Sequence, residues 1–161
     1  MKKCLIIVCI TCLSLLPCTL VHASDTDLDA VLTSAEALFK AMQVKDYVKI
    51  WAGLSEKSRE TIAGDTWNAL KPSPGTYTEV LVAEDFTRGD ALARTYWDAY
   101  LKNFDPVIIL EDSKWEMGNL KDDRAEITIT YKKAAKPATL HMVREGGVWK
   151  VGLTESFWSR K

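Results

Sequence analysis

Beyond residue 23 the chain contains no cysteine, because Cys4, Cys9, Cys12 and Cys18 all sit at its N-terminal end. Thiol nucleophiles, cysteine-ligated zinc, iron–sulfur clusters and redox disulfides are therefore excluded for residues 24–161. Histidine is almost as scarce: only His22 and His141 occur, which rules out a multi-histidine metal site within one chain downstream of residue 23. The glycine-rich phosphate loops, the Gly-x-Ser-x-Gly elbow and the Asp-x-Asp-x-Asp-Gly calcium loop are missing as well. No metal and no cofactor is expected. A surplus of basic charge is also lacking, since 21 Lys and Arg stand against 22 Asp and Glu. Without Lys2 and Lys3 the balance becomes 19 against 22, a charge of −3, and no electrostatic footprint for nucleic acid remains.

What is present begins with a leader. Met1-Lys2-Lys3 is a basic start, Cys4 to Leu16 is apolar, Pro17 breaks the run, and Val21-His22-Ala23 fits a small-x-small cleavage site. This is the layout of a signal peptide over residues 1–23, removed on export to the periplasm or the medium. The apolar run falls short of the roughly 20 residues a spanning helix needs, so no stable membrane insertion is expected after cleavage. Leu15-Leu16-Pro17-Cys18 is similar to a lipobox, but Pro17 stands where a small residue belongs, which argues against lipid anchoring through Cys18.

Residues 24–161 read as a single domain, 47% of the whole chain being apolar and 27% charged. A chain of this size buries roughly two-thirds of its unfolded surface, enough for a core without disulfides. Leu28, Val31, Leu32, Ala35, Leu38, Phe39 and Met42 recur at spacings of three and four, the stripe of an amphipathic helix with Ser24, Asp25 and Thr26 available as caps. Tyr47, Ile50, Trp51 and Leu54 predict a second helix from Asp46, and Ile62, Ala63, Thr66, Trp67 and Leu70 a third after Ser55. Lys71 to Gly89 shows no sustained period and predicts a long connection holding a short extended piece at Val80 to Val82. Asp90 is expected to cap a further helix that runs towards Phe104 and is closed by Pro106. Alternation then takes over, with strands expected at 107–110, 114–120, 124–131, 139–144 and 148–155. Short turns between them predict an antiparallel meander, and helices followed by strands predict an α+β fold.

Ala37 to Tyr47 followed by Trp51 and Leu54-Ser55, and the closing Glu145-Gly146-Gly147-Val148-Trp149-Lys150-Val151 hairpin, resemble small exported bacterial proteins of the NTF2-like (cystatin-like α+β) superfamily, and uncharacterised DUF4878-type domains in particular. The resemblance implies N-terminal helices packed on a strongly curved C-terminal antiparallel sheet, with a cone-like cavity between them.

In such a fold Tyr47, Trp51, Trp97, Tyr100 and Tyr131 would surround a small apolar ligand. The alternative is that these rings fill the core. Trp115, Phe157 and Trp158 are candidates for an exposed patch that meets an envelope protein. A non-enzymatic binding role is the first expectation; a cofactor-independent lyase, isomerase or hydrolase using Asp and Tyr in the cavity is the second. For that second role no catalytic residue stands out. Asp98 lies four residues from both Arg94 and Lys102, the spacing of solvent-facing ion pairs, and His141 reads as a solvated strand histidine. Self-association into a homodimer stays open.

Overall fold

The computed structural model describes residues 25–71 and 77–157; the leader with Cys18, the residues Pro72, Pro74 and Gly75, and Trp158 lie outside the described residues. The chain runs α1 (Asp25–Gln43), α2 (Tyr47–Gly53), α3 (Glu56–Leu70), α4 (Glu79–Arg88), α5 (Ala91–Leu101) and α6 (Pro106–Glu111). It then forms β1 (Ser113–Lys121), β2 (Arg124–Tyr131), β3 (Ala138–Glu145) and β4 (Val148–Gly152), and ends in α7 (Leu153–Phe157). The α+β order is as the periodicities predict. No helix among the described residues is long and apolar enough to cross a membrane.

The sheet is a four-stranded antiparallel meander in the order β1-β2-β3-β4, open and uncurled. This corrects the NTF2-like (cystatin-like) and DUF4878-type expectation, which required a curved sheet around a cone. Two segments expected to be extended are helical instead. At 107–110 the β-branched run Val107-Ile108-Ile109 suggests a strand, but Pro106 opens a helix and Asp105 Oδ1 accepts from Val107 N at 2.9 Å. At 80–82 the expected extended piece lies in α4, where Thr78 Oγ1 accepts from Leu81 N at 3.3 Å and Gly89, at φ +67°, closes the helix in the left-handed conformation. The sheet therefore stops at four strands, and the last of them is short. Strand β4 ends at Gly152 rather than at 155, and α7 turns away at once.

One face of the sheet carries the core. Ala125, Ile127 and Ile129 of β2, Leu140 and Met142 of β3, and Trp149 and Val151 of β4 are buried beneath Val31, Ala35, Leu38, Phe39 and Met42 of α1. Every one of those α1 residues belongs to the predicted stripe. The far edge of β4 is covered where Leu54 bridges to Val151 and Ser55 N donates to Val151 O at 2.9 Å. The other face, bearing Glu126, Thr128, Thr130, Thr139 and His141, is polar and open to solvent.

The start of α5 also departs from expectation. Asp90 occupies the cap position but its side chain caps nothing; it pairs with Arg88 at 2.7 Å. The capping oxygen comes from the preceding helix, where buried Asp85 accepts from Ala93 N at 2.8 Å. Asp85→Ala is expected to destabilise the fold by about 1–2 kcal/mol, as loss of a helix cap does, whereas Asp90→Ala changes it by less than about 0.5 kcal/mol. Urea unfolding of the two variants checks this.

Candidate functional site

Helix α3 begins where the chain leaves the sheet edge, and its first turn is pinned from several directions. Ser55 is the N-cap, accepting from Ser58 N at 3.1 Å. The carboxylate of Glu145, at the end of β3, accepts from Glu56 N at 2.8 and 3.1 Å, a position the helix dipole favours for an anion. Ser55 Oγ in turn donates to Glu155 Oε1 at 2.8 Å, and Ser58 Oγ donates to Oε2 at 2.6 Å. Thr154 Oγ1 adds a third hydroxyl donor to Oε2 at 2.9 Å, while Thr154 N donates to Ser58 Oγ at 3.1 Å. Ser55, Ser58 and Thr154 are all buried. Gly152 makes this approach feasible, since a Cβ there would lie 3.1 Å from the Glu155 carboxyl carbon and 3.2 Å from His141 O.

Around Glu155 this framework leaves a surface hollow of about 300 Å³, with walls that include Lys57, Lys121, Arg124, Glu126 and His141. A second hollow of about 420 Å³ shares Lys57, Arg124, Val143 and Glu155 and adds Glu56, Glu60 and Glu145. The strand register explains the grouping: Glu126 stands opposite His141, Arg124 opposite Val143, and Lys121 opposite Arg124, all on the open face. His141 Nδ1 lies 3.8 Å from Glu126 Oε1, and Asn119 Nδ2 donates to Glu126 Oε2 at 3.3 Å. Both hollows mix the two signs of charge: Lys57 and Arg124 belong to both, and Glu126 and Glu155 stand in the first among the cations. Such walls hold a ligand by ion pairs and hydrogen bonds. Among the described residues no group of three or more His, Cys, Asp or Glu is placed to hold a metal ion.

The five aromatic residues singled out by sequence fall elsewhere. Trp51 is buried and stacks on Phe86 with ring centroids 4.7 Å apart; Trp97 is fully buried between Tyr96 and Tyr100, at 5.1 and 5.6 Å. Together with Phe104, Phe39 and Trp115 these rings make one continuous chain through the interior. Burial pushes the Tyr100 hydroxyl up to about 12. Tyr131 ends β2 opposite Ser113. Tyr47 donates to Asp98 Oδ1 at 3.0 Å beside Lys45 Nζ at 2.8 Å. None of the five stands in the walls of the two hollows, nor in those of a third beside α1.

Asp98 is solvent-facing, as its spacing predicts, but its partners are Lys45 and Tyr47. Arg94, expected as a partner, donates to Gly89 O instead. The hydrogen bond from Lys45, then that from Tyr47, holds the Asp98 carboxyl below its usual range. Trp115 donates its indole N–H to Ile109 O at 2.8 Å, and Phe157 is exposed on α7. Sequence reading missed Glu155 and its serines because they converge across 97 and 100 residues. The one local signal was Ser55, already visible as the start of a helix.

For Glu155, burial pushes the carboxyl up, but the hydrogen bonds from Ser58, Ser55, its own N–H and Thr154 outweigh this and leave it below its ordinary value of 4.5. A folded-state value below the unfolded one contributes stability above the unfolded value and loses it as pH falls through the folded value. The fold is therefore expected to weaken on acidification below about pH 4.5. Glu155→Gln should flatten that acid limb and lower stability at neutral pH, as thermal melts at pH 3 to 7 would show.

Against known proteins the chain stands apart: no family model, no curated protein and no solved structure matches it.

Proposed function

We propose that this chain is an exported, non-enzymatic binding domain that recognises a protein of the envelope or the surrounding medium through the charged cleft beside Glu155. The observation that carries this reading is the mixed charge of the cleft walls, where Lys57, Lys121 and Arg124 stand among Glu56, Glu60, Glu126 and Glu145. An extended segment of a partner bearing both charges complements such a surface, and opposite potentials speed encounter as well as select partners. A protein partner is favoured over a small apolar ligand because Phe39, Trp97, Ile127 and Leu140, all fully buried, occupy the space between helices and sheet. Catalysis by Asp and Tyr receives no support from the Tyr47–Asp98 pair. Burial, with the Asp98 hydrogen bond, raises the Tyr47 hydroxyl above its ordinary value, and Lys45 holds Asp98 ionised, so neither group is poised to transfer a proton near neutral pH. Export rests on the leader at residues 1–23, and N-terminal sequencing of the exported protein should give Ser24 as the first residue.

A photo-crosslinking side chain placed at His141 in the producing cell tests the cleft. It should give a discrete protein adduct that Lys121→Glu with Arg124→Glu reduces at least about fivefold, the direction expected when rim charges are reversed. The same probe at Lys102, the C-cap of α5, should give none. Equal adducts from both positions, or an adduct indifferent to the charge reversal, would contradict the reading.

A further inference from the structure

Strand β1 is a terminal strand of the sheet, and among the described residues its outer edge has no ladder partner. Unpaired edges of this kind accept another strand unless charge or irregularity prevents it. Here the regular stretch is short. Ser113 to Met117 pairs evenly with β2, and a bulge follows before Leu120. Within that stretch side chains alternate: Ser113, Trp115 and Met117 are half-buried on the helix side, Lys114 and Glu116 exposed on the open face. The order Lys114-Trp115-Glu116 has a consequence that an all-lysine edge would not.

When two copies of this strand lie antiparallel about a two-fold axis at Trp115, Lys114 of each faces Glu116 of the other. Sliding the pairing by two residues in either direction puts Lys114 against Lys114, or Glu116 against Glu116. Only the centred register is complementary, and facing like charges are destabilising. On the helix side the same register sets the small Ser113 against Met117 of the second copy, beside a groove of about 480 Å³ whose walls mix Leu32, Leu110 and Trp115 with Asp29, Thr33 and Glu36. Charge thus selects the pairing, and the small-against-large match on the helix side is compatible with it.

We infer that the protein self-associates through antiparallel pairing of the β1 edge at Ser113–Met117, centred on Trp115, joining two four-stranded sheets into one. The interaction is isologous, so each contact occurs twice. It leaves the cleft beside Glu155 free on each copy, because β1 contributes to that cleft only beyond the bulge, at Asn119 and Lys121.

Sedimentation velocity of the purified protein from about 1 µM to about 1 mM tests this. The expected result is a concentration-dependent shift from the mass of one chain to that of two. Lys114→Glu and Glu116→Lys each place like charges in register and should weaken the dimer about tenfold or more. The double variant, which exchanges the charges, should restore it to within about threefold. An equimolar mixture of the two single variants should form a heterodimer that neither forms alone. Both side chains are largely exposed, at 72% and 53%, so the fold is expected to survive, and thermal melts serve as the control. A single-chain mass throughout would overturn the inference. So would a dimer indifferent to the single reversals, or a mixture that fails to pair.

Discussion

One carboxylate organises the part of the molecule that meets solvent. Glu155 accepts hydrogen bonds from Ser55 and Ser58 at the start of α3 and from Thr154 on its own helix, and it thereby ties two elements that are about a hundred residues apart. Buried hydroxyls would be costly without partners. Here the serines satisfy their own backbone cap and the carboxylate together, so the network is closed rather than partly met. Because α3 is held in this way against the end of the sheet, Lys57, Glu56 and Glu60 stand beside Arg124 and Val143 instead of pointing into open solvent. The cleft is a product of that attachment.

The interior has a different logic. A chain of rings from Trp51 through Phe86, Tyr96, Trp97, Tyr100, Phe104 and Phe39 to Trp115 links α2, α4, α5, α1 and β1. Edge-to-face and offset contacts of this kind add to the apolar burial of each ring. They fill the interior among the helices and reach the sheet at Trp115. Among the described residues the sheet has four strands, with α1 over its apolar face, a polar face, one edge closed by the Leu54–Val151 bridge and no strand partner at the β1 edge. In the proposed reading, recognition lies on the surface of the domain and not inside it.

Much of this was legible from residue order. The α1 stripe, the alternation of Ala125, Ile127 and Ile129, and the Glu145-Gly146-Gly147 turn each express a local period or a local backbone requirement, and each is found where the pattern puts it. Helices α4 and α6 were not, for separate reasons. The six residues of α6 complete fewer than two turns, too few to show a period, while Val-Ile-Ile carries strand propensity. In α4 the apolar residues Val80 and Leu81 are exposed, so its stripe is blurred, although Thr78 and Gly89 mark its two ends. The shape of the sheet was illegible because curvature depends on how many strands form and where they bend. The site was half legible: His141 reads as a solvated strand residue from order alone, but its meeting with Glu155 and Lys57 is a tertiary event with no local trace.

The central claim is that the space between helices and sheet is filled and that recognition is external. Native mass spectrometry of the protein, released gently from the cells that produce it, tests it most directly. A filled interior predicts the bare mass of the processed chain, or a simple multiple of it, with no retained small molecule. A stoichiometric apolar adduct of a few hundred daltons that survives purification would contradict it and return the binding site to the interior.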